Sequence, residues 1–526
     1  MGKEYTLRIS RYNPEVDDAP VLKEYRVPYV EQDSVLGALL HIYEEIDSTL
    51  LFNYGCRYRI CGKCAIKING RPGLACETPV EDEMVLEPLD GLPVIRDLAV
   101  DRSSVMELLR TREIFFSPGK ALEVVVQPPE FLSLMRCNEC LSCLSACPVF
   151  RQKLGYDGPL FGTKLAQLHY DVRESRKLLD QLDSFLDLCI QCKRCDVSCP
   201  WDVRFSEVSS KIKGELFRER GASIRDRLLS RPASVGVIAS LLSSPVNALT
   251  KKKMVRKLMD RMIRLDERAP FPEYHLTQRR GAREKTTRAD RRAAFFMGCY
   301  HKYNDPFTAE DCLAVLSACG TEAEVLDLGC CGIPFLGIGD LESAKKRAVE
   351  ISAGLKKWVE NGYDIVLACP SCTSMIKNEY PALFNILGEP SIQERILDLG
   401  EYLVRMRESG QWTLKFKDVR RTVGYQVSCH LRALRIGTPF VDLLRSIPGL
   451  EVRRVFDDCC GMAGTLGFKK EKHDLSEKVG KPLMEDIRKS QLDWILSDCA
   501  SCQMKIKHET KATTLHPIRI LREALG

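Results

Sequence analysis

Cysteine dominates the chemistry available to this chain. It supplies 24 of the 526 residues, and all but Cys312 and Cys319 fall into regularly spaced sets. Cys56-x4-Cys61-x2-Cys64, closed by Cys76, has the plant-type spacing for a [2Fe-2S] cluster. Two tetrahedral irons need four thiolates, three of them from one tight loop. Gly55 and Gly62 relieve that loop where Cβ atoms would crowd the sulfides. A zinc site of four thiolates is the alternative, and the uneven spacing argues against it. Cys137-x2-Cys140-x2-Cys143-x3-Cys147-Pro148 and Cys189-x2-Cys192-x2-Cys195-x3-Cys199-Pro200 are two bacterial-ferredoxin runs. In such a pair the fourth cysteine of each run ligates the other cluster. One [4Fe-4S] cubane is therefore expected on Cys137, Cys140, Cys143 and Cys199, and a second on Cys189, Cys192, Cys195 and Cys147.

The remaining sets repeat. Cys299, Cys330, Cys331, Cys369 and Cys372 recur as Cys429, Cys459, Cys460, Cys499 and Cys502 at an offset of about 130 residues, the mark of two homologous units. Adjacent thiolates chelate one tetrahedral metal poorly but reach neighbouring metals, which favours a polynuclear iron site in each unit. A dithiol redox centre or zinc is the alternative. His430 follows Cys429 directly, where it would be a catalytic proton donor to a departing thiolate or a structural histidine. His301 is a weaker candidate. Cys312 and Cys319, on one expected helix, read as buried small hydrophobes.

These sites need elements to position them. Tyr5–Tyr12 and Lys23–Tyr29 alternate as strands, and Asp33-Ser34 opens a helix with Val35, Leu36, Leu39, Leu40 and Tyr43 at helical spacing. With the cysteine loop they predict a β-grasp ferredoxin over 1–105. Helices over Leu165–His169 and Leu178–Leu188 separate the two runs of an α-helical double [4Fe-4S] ferredoxin, 106–230. Residues 231–292 form a basic helical connector. In it Lys251-Lys252-Lys253 precede Met254, Val255, Leu258, Met259, Met262 and Ile263 on one face, with Arg256, Lys257, Arg261 and Arg264 off it. Such a helix lies on an anionic membrane or packs on a protein surface, and packing is the favoured reading. Pro270, Pro272 and Arg279–Arg292 read as an exposed linker.

In the repeated units, 293–410 and 411–526, an apolar strand runs into the first cysteine (Phe295–Cys299; Val423–Cys429). A Cys-Cys-Gly turn follows, and a second strand leads into Cys-x2-Cys (Ile365–Cys372; Trp494–Cys502). Helices over Ala344–Glu360 and Lys478–Ser490 make the units α/β, with ligands at strand ends. The fold class is thus multidomain α+β and α/β: a β-grasp ferredoxin, a helical double ferredoxin and a duplicated cysteine-rich (CCG) pair.

Composition sets outer limits. The net charge of +6 is too small to argue for nucleic acid. The longest apolar run, Val235–Leu242, is broken by Gly236 and Ser240 and falls well short of the roughly 18 to 20 residues of a membrane helix. The start, Met1 to Thr6, fits a myristoylation pattern, which at this length is mostly chance, and no signal peptide is expected. The expectation is a cytoplasmic chain, with peripheral membrane contact left open, in a compartment that keeps thiols reduced.

Cys56-Arg57, Ile60-Cys61-Gly62-Lys63-Cys64-Ala65, Ile68-Asn69-Gly70 and Leu74-Ala75-Cys76, with Pro93–Asp101, resemble the iron–sulfur subunit of succinate dehydrogenases and fumarate reductases over residues 1–205. The resemblance implies a partner flavoprotein subunit that holds FAD and converts fumarate and succinate. It also exposes a departure. The usual respiratory subunit lacks the middle cysteine of its second run and holds a three-iron cluster beside a quinone. Here Cys192 fills that place, and Val149-Phe150-Arg151 lack the tryptophan of the quinone pocket, which argues against a quinone site. The repeated units resemble the cysteine-rich domains of heterodisulfide reductases over 293–526. That implies a noncubane [4Fe-4S] cluster on each five-cysteine set and disulfide cleavage. Related pairs occur in anaerobic glycerol-3-phosphate, glycolate and lactate dehydrogenase systems. The fused order is similar to that of the thiol-driven fumarate reductases, which use coenzymes M and B. The combined expectation is an oxidoreductase subunit relaying electrons between a flavoprotein and a thiol/disulfide substrate. Exchange with a membrane quinone, or a pure electron adaptor, are the rivals.

Overall fold

Burial alternates along β1 (Glu4–Arg11), where Leu7 and Ile9 are fully enclosed, as in a strand covered on one face. β1 is joined by β2 (Val21–Pro28), β3 (Ala65–Ile68), β4 (Arg71–Leu74) and β5 (Met84–Glu87) in a sheet of order β2-β1-β5-β3-β4. The helix Val35–His41 adds Val35, Leu36, Ala38 and Leu39 to this core, its first turn capped by the Ser34 side chain accepting from Gly37 N. A short hairpin, β6 (Val94–Arg96) and β7 (Ala99–Val100), ends the β-rich part. Short helices follow the cysteine runs, and the two helices expected between the runs are Pro159–Tyr170 and Leu179–Leu186.

The chain divides into two compact units, Met1–Ser209 and Ser210–Gly526. This computed structural model describes residues 4–30, 33–119, 124–276, 291–410, 412 and 414–525. The start of the myristoylation pattern and linker residues 279–290 lie outside them. Arg291 and Arg292, expected in that linker, instead begin a strand.

The second unit holds two all-parallel sheets. β8 (Arg291–Phe296), β9 (Thr321–Leu326), β10 (Asp364–Leu367) and β11 (Ile396–Asp398) lie in the order β11-β10-β8-β9. β12 (Arg421–Gln426), β13 (Leu450–Phe456), β14 (Trp494–Leu496) and β15 (Thr514–Leu515) lie in the order β13-β12-β14-β15. Counted within each sheet, both have the sequence 2-1-3-4, so the repeat read from cysteine spacing is a repeat of topology. Phe295 and Leu403 of the first sheet's unit share one core with Tyr425 and Ile520 of the second. The helices Leu341–Glu360 and His473–Ser490 cover the sheets, each starting a few residues before the expected position.

The connector contains the helices Pro232–Leu241, Ser243–Thr250 and Lys253–Ile263. In the last of these the expected apolar face splits. Val255, Met259 and Ile263 are half-buried, whereas Met254, Leu258 and Met262 are exposed. Packing therefore accounts for only one of its two apolar rows.

Candidate metal centres

The first cysteine loop is shaped by its backbone. Arg57, Arg59 and Gly62 adopt left-handed φ of 60°, 65° and 65°, which turns successive N–H groups to one side, the arrangement that cradles anions. Cys56 Sγ accepts from the amides of Tyr58 (3.4 Å) and Cys61 (3.2 Å), Cys61 Sγ from Cys56 N (3.3 Å), and Cys76 Sγ from Arg59 N (3.3 Å). These N–H donors favour thiolate, and the Cys56 thiol is pulled down to about 7 by them. Cys64, deeper in the core, is pushed up to about 12 by burial.

Both ferredoxin runs repeat that device. Glu139 and Leu141 in the first, and Gln191 and Lys193 in the second, hold left-handed φ at matching positions around the middle cysteines. The runs enclose two cavities. One, of about 400 Å³, is lined by Cys137, Cys140, Cys143 and Cys199, and by Cys195, which it shares with the other. The other, of about 410 Å³, is lined by Cys147, Cys189, Cys192 and Cys195. The fourth cysteine of each run thus stands in the other run's cavity. Among the described residues no three His, Cys, Asp or Glu side chains converge on a single-ion site. A cluster sets its ligands further apart than one tetrahedral ion does, so these donor sets fit iron–sulfur clusters better than zinc.

The first loop packs against both runs. Gly62 comes so close that a Cβ there would lie 2.8 Å from Cys140 Cβ. Arg102 donates to the carbonyls of Gly62 and Glu139, and Arg59 donates to that of Pro200. The Arg59 carbonyl in turn accepts from Asn138 Nδ2 and Trp201 Nε1, each at 3.2 Å.

In the second unit every cysteine set gathers at the carboxyl ends of parallel strands. Cys299 follows β8 and Cys369 follows β10, the adjacent strands at which the chain order reverses, where α/β sheets open a binding crevice. Cys299 neighbours Cys330, Cys331 neighbours Cys330 and Cys372, and Cys372 neighbours Cys369. In the other unit Cys460 neighbours Cys459 and Cys502, Cys502 neighbours Cys499, and Cys429 opens the helix Cys429–Leu434. The Cys-Cys-Gly glycine has a steric cause. Gly461 has φ +82°, and a Cβ would overlap the Ser476 carbonyl oxygen. Its amide donates to Cys459 Sγ (3.4 Å), as Gly332 N does to Cys330 Sγ (3.5 Å).

The structure joins the two sets. His430 Nδ1 stands 2.8 Å from Ser371 Oγ, and Ser371 lies between Cys369 and Cys372. His301 is buried, and that burial pushes its imidazole below the usual histidine range, so its position is a packed one. Cys312 and Cys319 are buried in the apolar core as expected. Sequence reasoning missed Tyr300, which follows Cys299 as His430 follows Cys429. Its phenol is pushed up by burial, with Cys499 and Cys369 among its neighbours. The repeat offset was the signal that would have found it. It also missed Asp398 and Asp498, buried carboxyls of the two repeats that each keep one oxygen without a hydrogen bond. Burial raises both, Asp498 to about 6.

Comparison with known proteins follows the same divisions. Residues 6–107 match a 2Fe-2S iron-sulfur cluster binding domain, 133–203 a 4Fe-4S dicluster domain, and 293–377 and 423–507 each match a cysteine-rich domain. A crystal structure of a hypothetical protein from Helicobacter pylori aligns over 100% of this chain and 96% of its own, with a TM-score of 0.55 and 13% identity, a likeness of fold alone. A subunit of the anaerobic glycerol-3-phosphate dehydrogenase of Escherichia coli is 33% identical over 75% of this chain and 99% of its own length. A subunit of the fumarate reductase (CoM/CoB) of Methanothermobacter marburgensis is 30% identical over 98% of this chain and 97% of its own. A likeness that runs through every cysteine set and nearly the full length of both proteins places the chain in the family of that CoM/CoB fumarate reductase subunit, a family of iron–sulfur subunits of oxidoreductases.

Proposed function

We propose that the chain carries electrons between a flavoprotein subunit that binds FAD and acts on fumarate or succinate, and a thiol/disulfide site at its C-terminal cysteine sets. The observation that carries this reading is the Ser371–His430 contact, which ties two complete five-cysteine sets to one seam at the strand ends. We assign one [2Fe-2S] cluster to Cys56, Cys61, Cys64 and Cys76. Two cubanes fall to the crossed quartets that line the two cavities, and one noncubane [4Fe-4S] cluster falls to each five-cysteine set. Bound there, such clusters pass single electrons, and iron at the C-terminal sets supplies a Lewis acid for thiolate sulfur.

The protein's own residues do the rest. Backbone N–H groups at left-handed turns hold the thiolates charged, and burial and hydrogen bonding at each sulfur tune its centre. Ser371 anchors His430 Nδ1, which fixes the imidazole next to Cys429 in the chain, from where it would exchange protons with thiol sulfur. The balance closes: two thiols give up two electrons and two protons to become one disulfide, and fumarate takes up both to become succinate. The five segments 1–105, 106–230, 231–292, 293–410 and 411–526 are the working divisions of this path.

The test is the purified complex with fumarate, offered either a thiol pair or a quinol. Thiol-dependent fumarate reduction is expected, and Cys331→Ser should abolish it while dye-linked fumarate reduction persists. Activity with quinol alone, or loss of both activities together, overturns the division of labour.

A further inference from the structure

We propose that the connector helices Pro232–Leu241, Ser243–Thr250 and Lys253–Ile263 dock on an anionic lipid bilayer, lying in its interface without crossing it. Exposure is the first observation. Ile238 is 65% exposed, Leu241 70%, Met254 84% and Met262 72%. Val237, Leu242, Leu249 and Leu258 of the same three helices are exposed as well. The helix Lys253–Ile263 has no buried residue at all.

Charge is the second. No acidic residue occurs between Asp226 and Asp260. On the helix Lys253–Ile263, Met254, Leu258 and Met262 stand one helical turn apart, and the exposed Lys253, Lys257 and Arg261 form a parallel row beside them. Asp260, the only acid on this helix, is ion-paired with Lys470 and turned towards the protein. Arg256 on that same inner side donates to the carbonyls of Thr250, Glu267 and Ala269. The inner row is thus tied down by polar contacts, and the apolar and basic rows are left facing outwards together.

That pairing selects the occupant. Protein interfaces deplete lysine from their buried centre. A bilayer surface takes apolar side chains into the acyl boundary while phosphates meet the flanking lysines and arginines. The bend, rather than length, argues against a span. The helices Pro232–Leu241 and Ser243–Thr250 bend by 106° at their junction, and among the described residues no single helix is long and apolar enough to cross a membrane.

The experiment is flotation of the full-length, iron-loaded protein with vesicles of phosphatidylcholine, alone or with about one part in three phosphatidylglycerol. Binding to the anionic vesicles is expected, at least about tenfold weaker to the neutral ones and weakened by salt. Leu258→Glu with Met262→Glu, and separately Lys253→Ala with Lys257→Ala, should each lower binding by about tenfold or more at unchanged iron content. These residues lie outside every cysteine set, so failure here leaves the proposed redox function standing. Absence of binding to anionic vesicles, binding that the variants leave unchanged, or a native mass showing that Leu258→Glu dissolves a self-assembly instead, overturns the proposal.

Discussion

Gly62 offers the sharpest test of how the ferredoxin parts are held together. It lies at φ +65°, and a Cβ there would meet Cys140 Cβ at 2.8 Å, Cys140 Cα at 2.9 Å and the Asn138 carbonyl oxygen at 3.0 Å. Gly70, at φ +76° in the β3–β4 turn, has nothing within 4 Å of the same position. Both glycines would charge alanine the left-handed penalty of about 1–2 kcal/mol. Gly62→Ala adds contacts inside the usual carbon separation of about 3.5–4 Å. The two cysteine loops must part by about 0.5–1 Å, an overpacking cost of about 1–3 kcal/mol. Gly62→Ala is therefore expected to lose about 2–5 kcal/mol and Gly70→Ala about 1–2 kcal/mol. The assay is anaerobic guanidinium denaturation of the iron-loaded chain, followed by circular dichroism and visible absorbance, with the spin–spin broadening of the reduced [2Fe-2S] signal as a second readout. Only Gly62→Ala should weaken that broadening. Two variants that denature at the same midpoint, or a Gly62→Ala protein as stable as wild type, would refute the close approach.

Four further outcomes are expected. The protein should bind about 18 iron atoms per chain, and Cys147→Ser should perturb the centre of the Cys189 run while Cys199→Ser perturbs that of the Cys137 run, read by EPR of the reduced protein; signals lost from a variant's own run would contradict the crossed quartets. Tyr156 is 6% exposed, lines the cavity of Cys147, Cys189, Cys192 and Cys195, and has its hydroxyl against Cys189; Tyr156→Phe should lower that centre's reduction potential at constant iron content, and an unchanged potential would remove the hydroxyl from its tuning. Ser371→Ala should cut the thiol-linked rate by about tenfold, and His430→Ala by about 100-fold, with dye-linked fumarate reduction unaffected; equal losses in both assays would make the contact merely structural. Burial alone would raise the Glu174 carboxyl, but the Arg176 guanidinium and the Ser117 amide outweigh it and hold it at about 2, below its ordinary 4.5; its stabilisation is present above pH 4.5 and fades as pH falls towards 2, so Glu174→Gln should flatten the acid limb of an unfolding-versus-pH curve.

Cysteine spacing made the metal-binding parts legible because cluster geometry constrains ligands along the chain, within tight loops. β1, β2 and the strands that run into cysteines, β8, β10, β12 and β14, were legible from period-two alternation or short apolar stretches, whereas β3–β5, the other strands of each repeat and their 2-1-3-4 order rest on pairing between distant residues. What stayed hidden depends on distant residues. Nothing around Ser371 announces His430, and nothing around Gly62 announces Cys140. Spacing alone placed six apolar residues of Lys253–Ile263 on one face. Asp260 and Arg256, fixed by Lys470 and by backbone carbonyls, decide which of them are covered. Arg291 and Arg292 looked like linker by charge, yet pairing with Thr321 and Glu322 makes them strand.

The twin 2-1-3-4 sheets have a consequence beyond packing. Two separate copies of one half, meeting about a dyad, would confront a ligand with identical walls. Fusion into one polypeptide frees each wall to diverge, and here tyrosine at 300 occupies the repeat position that histidine holds at 430. If the proposed function holds, an unsymmetrical disulfide entering such a seam would have a distinguishable left and right, so polarity of the guest could be read by a host that began as a duplication.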